Sequence, residues 1–137
     1  AGESVRAGGA REIAEELGVT FAPDALVPLG VRAIVDCSSG MVNREFQHVL
    51  LARDDRPLDA WTDLEWGELD GLVRLGLGAF SELVHGPAGG PWRAEAWNGT
   101  HVERAEIARG EVIPGSYLPV LTVMLERFAR GERPLAI

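Results

Sequence analysis

Apolar residues recur along the chain with two rhythms. Between Ser4 and Leu17, residues Ala10, Ile13, Ala14 and Leu17 stand at i, i+3, i+4 and i+7, the spacing that gives a helix one apolar stripe. Ser4 supplies an N-cap oxygen, and Gly18 sits where a helix commonly stops. Gly8 and Gly9 each cost this helix roughly 1 kcal/mol relative to Ala, so their presence predicts close packing against a neighbour. Leu26 to Val35 is dense in Leu, Val and Ile and reads as a strand. A polar loop over Asp36 to Asn43 leads to a second strand, Glu45 to Arg53, with Phe46, His48 and Leu50 on one side. Asp54 to Pro57 ends it.

Leu72 to Leu77 reads as a third short strand and Gly78 to Val84 as a short helix. After the Gly/Pro loop from His85 to Pro91, Trp92–Trp97 and Thr100–Ile107 flank Asn98-Gly99, the dipeptide of a type I′ hairpin turn. Pro114 and Gly115 break the chain before a last helix, Leu118 to Arg130, with Leu121, Met124, Leu125 and Phe128 on one face. Helices mixed with short strands predict a layered α/β (α+β) domain. With 137 residues and 14.8 kDa, the chain has room for one such domain, spanning 1–137.

Charge narrows the function classes. The formal charge is −8, which argues against a nucleic-acid partner. All 13 basic residues are Arg, so any phosphate contact falls to Arg; Arg32, Arg44 and Arg53 lie on or beside the two central strands. The single cysteine, Cys37, excludes an internal disulfide framework and a Cys-based zinc site. A free thiol and the lack of a secretory signal point to the cytoplasm. No apolar run is long enough for a membrane span.

The candidate chemistry lies in the first helix. Glu12, Glu15 and Glu16 stand at i, i+3 and i+4, so they share a face and repel one another. A divalent cation would turn that repulsion into binding, and oxygen donors suit Mg²⁺ or Mn²⁺, ions that also take phosphate oxygens. The plain reading of the same residues is a solvated acidic face, with Arg11 paired to Glu15 one turn on.

The full pattern resembles the Nudix box. Glu3, seven residues, then Arg11-Glu12-Ile13, Glu15-Glu16 and Gly18-Val19 match every element of that box from its first Glu onward. The box occupies 3–19. Its leading Gly would fall six residues before Glu3, so native sequence, including the strands that normally precede the box, is expected upstream of Ala1. Arg44-Glu45-Phe46-Gln47 and Glu68-Leu69-Asp70-Gly71-Leu72-Val73 look like segments of the branch similar to isopentenyl-diphosphate isomerase. The hairpin and helix over 92–130 fit that branch as well.

The resemblance implies an α/β/α sandwich with a mixed sheet. It implies a Mg²⁺-dependent hydrolase (Mn²⁺ a possible substitute) acting on a small molecule with a diphosphate linkage, a nucleoside diphosphate derivative or related organic pyrophosphate. Glu15 and Glu16 would be metal ligands, and Glu12 a further ligand or the base that activates water. Arg11 would hold Glu12 through a charge-assisted hydrogen bond. Glu3 would anchor the loop–helix junction or join the metal shell. Glu68 would be the carboxylate outside the box, as ligand or general base, with Glu65 the fallback and a plain surface acid the alternative. A homodimer, through the last helix or the Trp-containing hairpin, is common in the family.

Other residues read as structural. His48 is expected in the core or a cleft wall, because no second His lies at ligand spacing. Cys37 lies downstream of the box, so the reactive-Cys role of the isomerase branch does not transfer. Trp61, Trp66, Trp92 and Trp97 are expected in core or interface packing, with base stacking the alternative. Arg104 and Arg109 are expected to face solvent. The competing function class is a non-catalytic Nudix-like domain that binds a ligand or partner.

Overall fold

The computed structural model describes residues 2–37, 40, 42–87, 89–112, 115 and 117–133. Helix α1 runs Val5–Leu17. Ser4 is extended at its N-cap, and its Oγ accepts from the Ala7 amide at 3.2 Å, satisfying one of the orphan donors of the first turn. Gly18 closes the helix in the left-handed conformation, with φ +64°. Gly9 is where another element comes close. A Cβ there would lie 2.2 Å from Leu50 Cδ1, so the bare backbone lets the next sheet dock. Among the described residues, Gly8 faces only the Glu3 side chain.

Strands β1 (Val27–Asp36) and β2 (Asn43–Leu51) form an antiparallel ribbon with an irregularity between Pro28 and Gly30. Strands β3 (Leu72–Leu75), β4 (Trp92–Trp97) and β5 (Val102–Ile107) form a second sheet in that order, again antiparallel. Helix α2 (Leu77–His85) packs against α3 (Leu118–Ala129). The architecture is therefore α+β. Where a mixed sheet is expected, every pairing among the described residues is antiparallel, and the strands divide between two sheets.

Two apolar clusters hold the layers together. Leu29 and Met124 are buried against Val27, Val49, Leu51, Leu121 and Phe128, which seats α3 on the root of the ribbon. Leu58, Leu64 and Trp97 are buried with Leu17, Trp61, Leu69 and Leu72, joining the end of α1 to the three-stranded sheet. Neighbouring strand residues point to opposite faces. Leu50 therefore meets α1 on one face of β2, while Val49 and Leu51 meet α3 on the other. Burial of this apolar surface is the main favourable term in holding the layers. Thr122 is fully buried. Its hydroxyl donates to the Pro119 carbonyl at 2.8 Å, leaving its lone pair to accept from His85 Nε2 at 2.6 Å across the α2–α3 seam.

Beyond its root the ribbon loses cover. Val31, Val35 and Phe46 are 55%, 62% and 76% exposed. His48, opposite Val31, is exposed with them, so of the two places expected for it, core or cleft wall, the core is excluded. The α1 end covers Leu50 but not the far half of the same face. The second hairpin is present, but its connection is longer than a two-residue turn. Trp97 pairs with Val102, leaving Asn98 to His101 between the strands. Asn98 Oδ1 closes the loop by accepting from the Thr100 and His101 amides at 3.0 and 3.1 Å.

Candidate functional site

The acids of α1 gather around one cation, Arg11. Its Nη2 lies 2.7 Å from Glu12 Oε1 and 3.6 Å from Glu3 Oε2, and its Nη1 donates to Glu15 Oε2 at 2.8 Å. The hydrogen bond to Glu15, then that to Glu12, holds the guanidinium proton more firmly than usual. All four side chains are about half exposed, so solvent screens each pair and the cluster adds little to stability. Both expected Arg11 partnerships, with Glu12 and with Glu15, are present together. Glu16 has no side-chain partner among the described residues.

A second acidic segment is fastened to the end of α1. The Glu65 amide donates to the Glu16 carbonyl at 2.8 Å, capping one of the last orphan acceptors of the helix. Gly18 lies against Asp63 so closely that a Cβ would stand 2.2 Å from the Asp63 carbonyl oxygen. Leu64, buried between them, anchors the loop. Glu65 then turns back on its own segment. Its Oε1 accepts from the Gly67 amide at 3.1 Å, and its carbonyl accepts from the Glu68 amide at 2.9 Å. Glu68 is exposed.

The donor set suits a hard divalent cation in chemistry, since every candidate atom is a carboxylate oxygen. Glu12 and Glu15 fit in geometry too, because both already converge on a single positive group. A third acid does not join them: among the described residues, no group of three or more His, Cys, Asp or Glu side chains is placed to hold a metal ion. The structure therefore brings Glu12 and Glu15 together and ties the Glu65–Glu68 segment to the helix end by its backbone. It does not converge Glu16 and Glu68 on the same point.

The remaining candidates are distributed away from this face. Arg32 stacks on Tyr117, 4.3 Å from the ring centroid, and Arg53 pairs with Asp55 at 3.1 Å. Arg44 is exposed on the ribbon, and Cys37 is an exposed free thiol. Trp97 is buried and donates from Nε1 to the Trp61 carbonyl at 2.8 Å, as core packing requires. Trp66 is exposed but covers the hairpin turn at Gly99. Arg109, though exposed, donates to the Gly86 carbonyl at 2.7 Å at the end of α2. No helix is long and apolar enough to cross a membrane among the described residues.

One feature lies outside the sequence candidates. A groove of about 980 Å³ runs over the three-stranded sheet, lined by Arg74, Arg93, Glu95, Arg104 and Glu106. The signal in the sequence is the alternation Arg93-x-Glu95 and Arg104-x-Glu106, which places all four on one face once the strands are paired.

Comparison of the chain with protein-family models, with curated proteins and with solved structures finds no match.

Proposed function

We propose that this chain is a Mg²⁺-dependent hydrolase of the Nudix type, cleaving a diphosphate linkage in a nucleoside diphosphate derivative or related organic pyrophosphate. The observation that carries this reading is the convergence of Glu12 and Glu15 on Arg11, with Glu16 partnerless on the same helix face. The arrangement suits a helix that exchanges one counter-ion for another of higher charge. An α/β/α sandwich belongs to the same proposal, supported by α1 and α3 flanking opposite faces of β2.

In this reading Glu15 and Glu16 would hold the cation, the exposed Glu16 side chain rotating to join Glu15, with Glu12 as further ligand or base. A bound divalent ion would neutralise the diphosphate oxygens and acidify a neighbouring water. Glu12 takes the proton of the attacking water. The water oxygen forms the new bond to phosphorus, the bridging P–O bond breaks, and the leaving phosphate carries away its electron pair. Arg11 positions Glu12 through the 2.7 Å contact. Glu68 is the acid outside the box, carried by the segment hydrogen-bonded to the helix end.

Formation of phosphomonoester products from a panel of nucleoside diphosphate derivatives, followed across a Mg²⁺ titration, tests the proposal. Turnover is expected only with the cation present. Glu12→Gln should lower it by about 10²–10⁴-fold. Glu16→Gln should abolish it while circular dichroism stays unchanged; full turnover in Glu16→Gln would reject the metal role. The second reading, a non-catalytic ligand- or partner-binding domain of the same type, draws on Arg11 already neutralising two of the acids. It predicts no turnover with any cation.

A further inference from the structure

The groove over β3, β4 and β5 is lined by three arginines and two glutamates. Residues directly opposite in an antiparallel sheet share a face. Arg74, Glu95 and Arg104 are opposite one another across the three strands, and Arg93 is opposite Glu106 in the adjoining row. Arg74 is spent on Glu95: its Nε donates to Glu95 Oε2 at 2.9 Å, and its Nη2 donates to the same oxygen. Arg93 and Arg104 have no hydrogen-bond or ion-pair partner among the described residues, although a carboxylate stands across from each. They are diagonal neighbours on adjacent strands, a separation of about 7–8 Å between their backbones. Two long, flexible guanidinium groups at that spacing can close on one anion.

Chemistry narrows the anion. A planar carboxylate is satisfied by one guanidinium fork, whereas a phosphoryl group offers three oxygens and a second charge to two forks. The chain carries a formal charge of −8, which repels an extended polyanion but not a compact one held locally. Glu106, with no partner of its own, adds an acceptor beside the cations and so suits a hydroxyl donor. The groove volume lies within the roughly 300–1,000 Å³ of small-molecule sites. We propose that this groove binds a phosphorylated sugar. Arg93 and Arg104 take the phosphoryl oxygens, and Glu106 accepts from a sugar hydroxyl. The site draws on no residue of the α1 acidic face and stands whether or not that face is catalytic.

Isothermal titration calorimetry in EDTA at low salt tests it, since no divalent cation is then available to the acids of α1. Ribose 5-phosphate is expected to bind, and more tightly than inorganic phosphate. Arg93→Ala and Arg104→Ala should each weaken it by at least about tenfold, the loss of a charge-assisted hydrogen bond, with circular dichroism unchanged. Arg6→Ala, which removes the same charge from helix α1 where Arg6 faces only Asp24 among the described residues, should bind as the parent does. Glu106→Ala should erase the preference for the sugar phosphate over inorganic phosphate. Three results overturn the proposal: no binding of ribose 5-phosphate by the parent chain, undiminished binding in the Arg93→Ala, Arg104→Ala double variant, or an equal loss in Arg6→Ala.

Discussion

Replacing Gly18 by Ala tests the junction on which the candidate site depends. Gly18 has φ +64°, a conformation that costs an L-residue about 1–2 kcal/mol. The new Cβ would also lie 2.2 Å from the Asp63 carbonyl oxygen and 2.4 Å from Asp63 Cβ. The first contact is backbone, so the loop must move rather than a side chain rotate. Overpacking of that kind adds about 1–3 kcal/mol, for a total loss of about 2–5 kcal/mol. Gly131 supplies the control. Its φ is +77°, and a Cβ there meets nothing within 4 Å among the described residues, so Gly131→Ala bears the conformational term alone. Urea unfolding followed by circular dichroism measures both, with equal m-values confirming that only stability changed. The Gly18 variant should be the less stable by about 1–3 kcal/mol. It should also lose more of the proposed turnover than the Gly131 variant, because Asp63 leads directly into the segment bearing Glu65 and Glu68. Equal losses of stability within about 0.5 kcal/mol would refute the close approach as the reason for glycine.

Two other substitutions probe neighbouring claims. Gly8→Ala should stabilise the chain by about 0.5–1 kcal/mol. Among the described residues a Cβ there meets only the Glu3 carboxylate, 3.3 Å away at the end of a flexible side chain; a thermal melt below the parent's would show the position to be tighter than that. Asp54 is held below the ordinary carboxylate range by the Arg56 side chain, then by the Arg56 amide, with contacts of 2.8 Å. A depressed folded value means that its stabilisation is present above the unfolded value of about 3.9 and lost as pH falls through the folded one. Asp54→Asn should therefore melt below the parent at pH 7, with the difference closing in strongly acidic buffer; a difference that does not change with pH would remove the ionic explanation.

The sequence is most informative where local chemistry decides the outcome. Ser4 and Gly18 bracket α1 because capping involves only a few adjacent residues, and the apolar stripe through Ala10 and Leu17 sets which face docks. The strands at Leu72, Trp92 and Val102 emerge from alternation and turn residues within two residues of their bounds at most ends. What depends on distant pairing is not legible in the same way. Nothing local to Glu65 announces that its amide reaches the Glu16 carbonyl, and nothing local to Asp63 announces Gly18. Arg104 faces solvent as the sequence reads, but only the register shows Glu95 opposite it and Arg93 on the diagonal. His48 follows an apolar alternation yet lies exposed, because periodicity reports that a strand has a distinct face, not that another layer reaches it.

The ribbon of β1 and β2 is a two-stranded sheet among the described residues, so each strand keeps one flank whose amides and carbonyls are unspent. Such flanks are templates for further strands. With Val35 and Phe46 bare beside them, any extended chain that zips onto an edge would also cover oily surface. Concentration should matter to this protein for that reason, and dilute handling with a charged residue in place of Phe46 would keep its molecules apart.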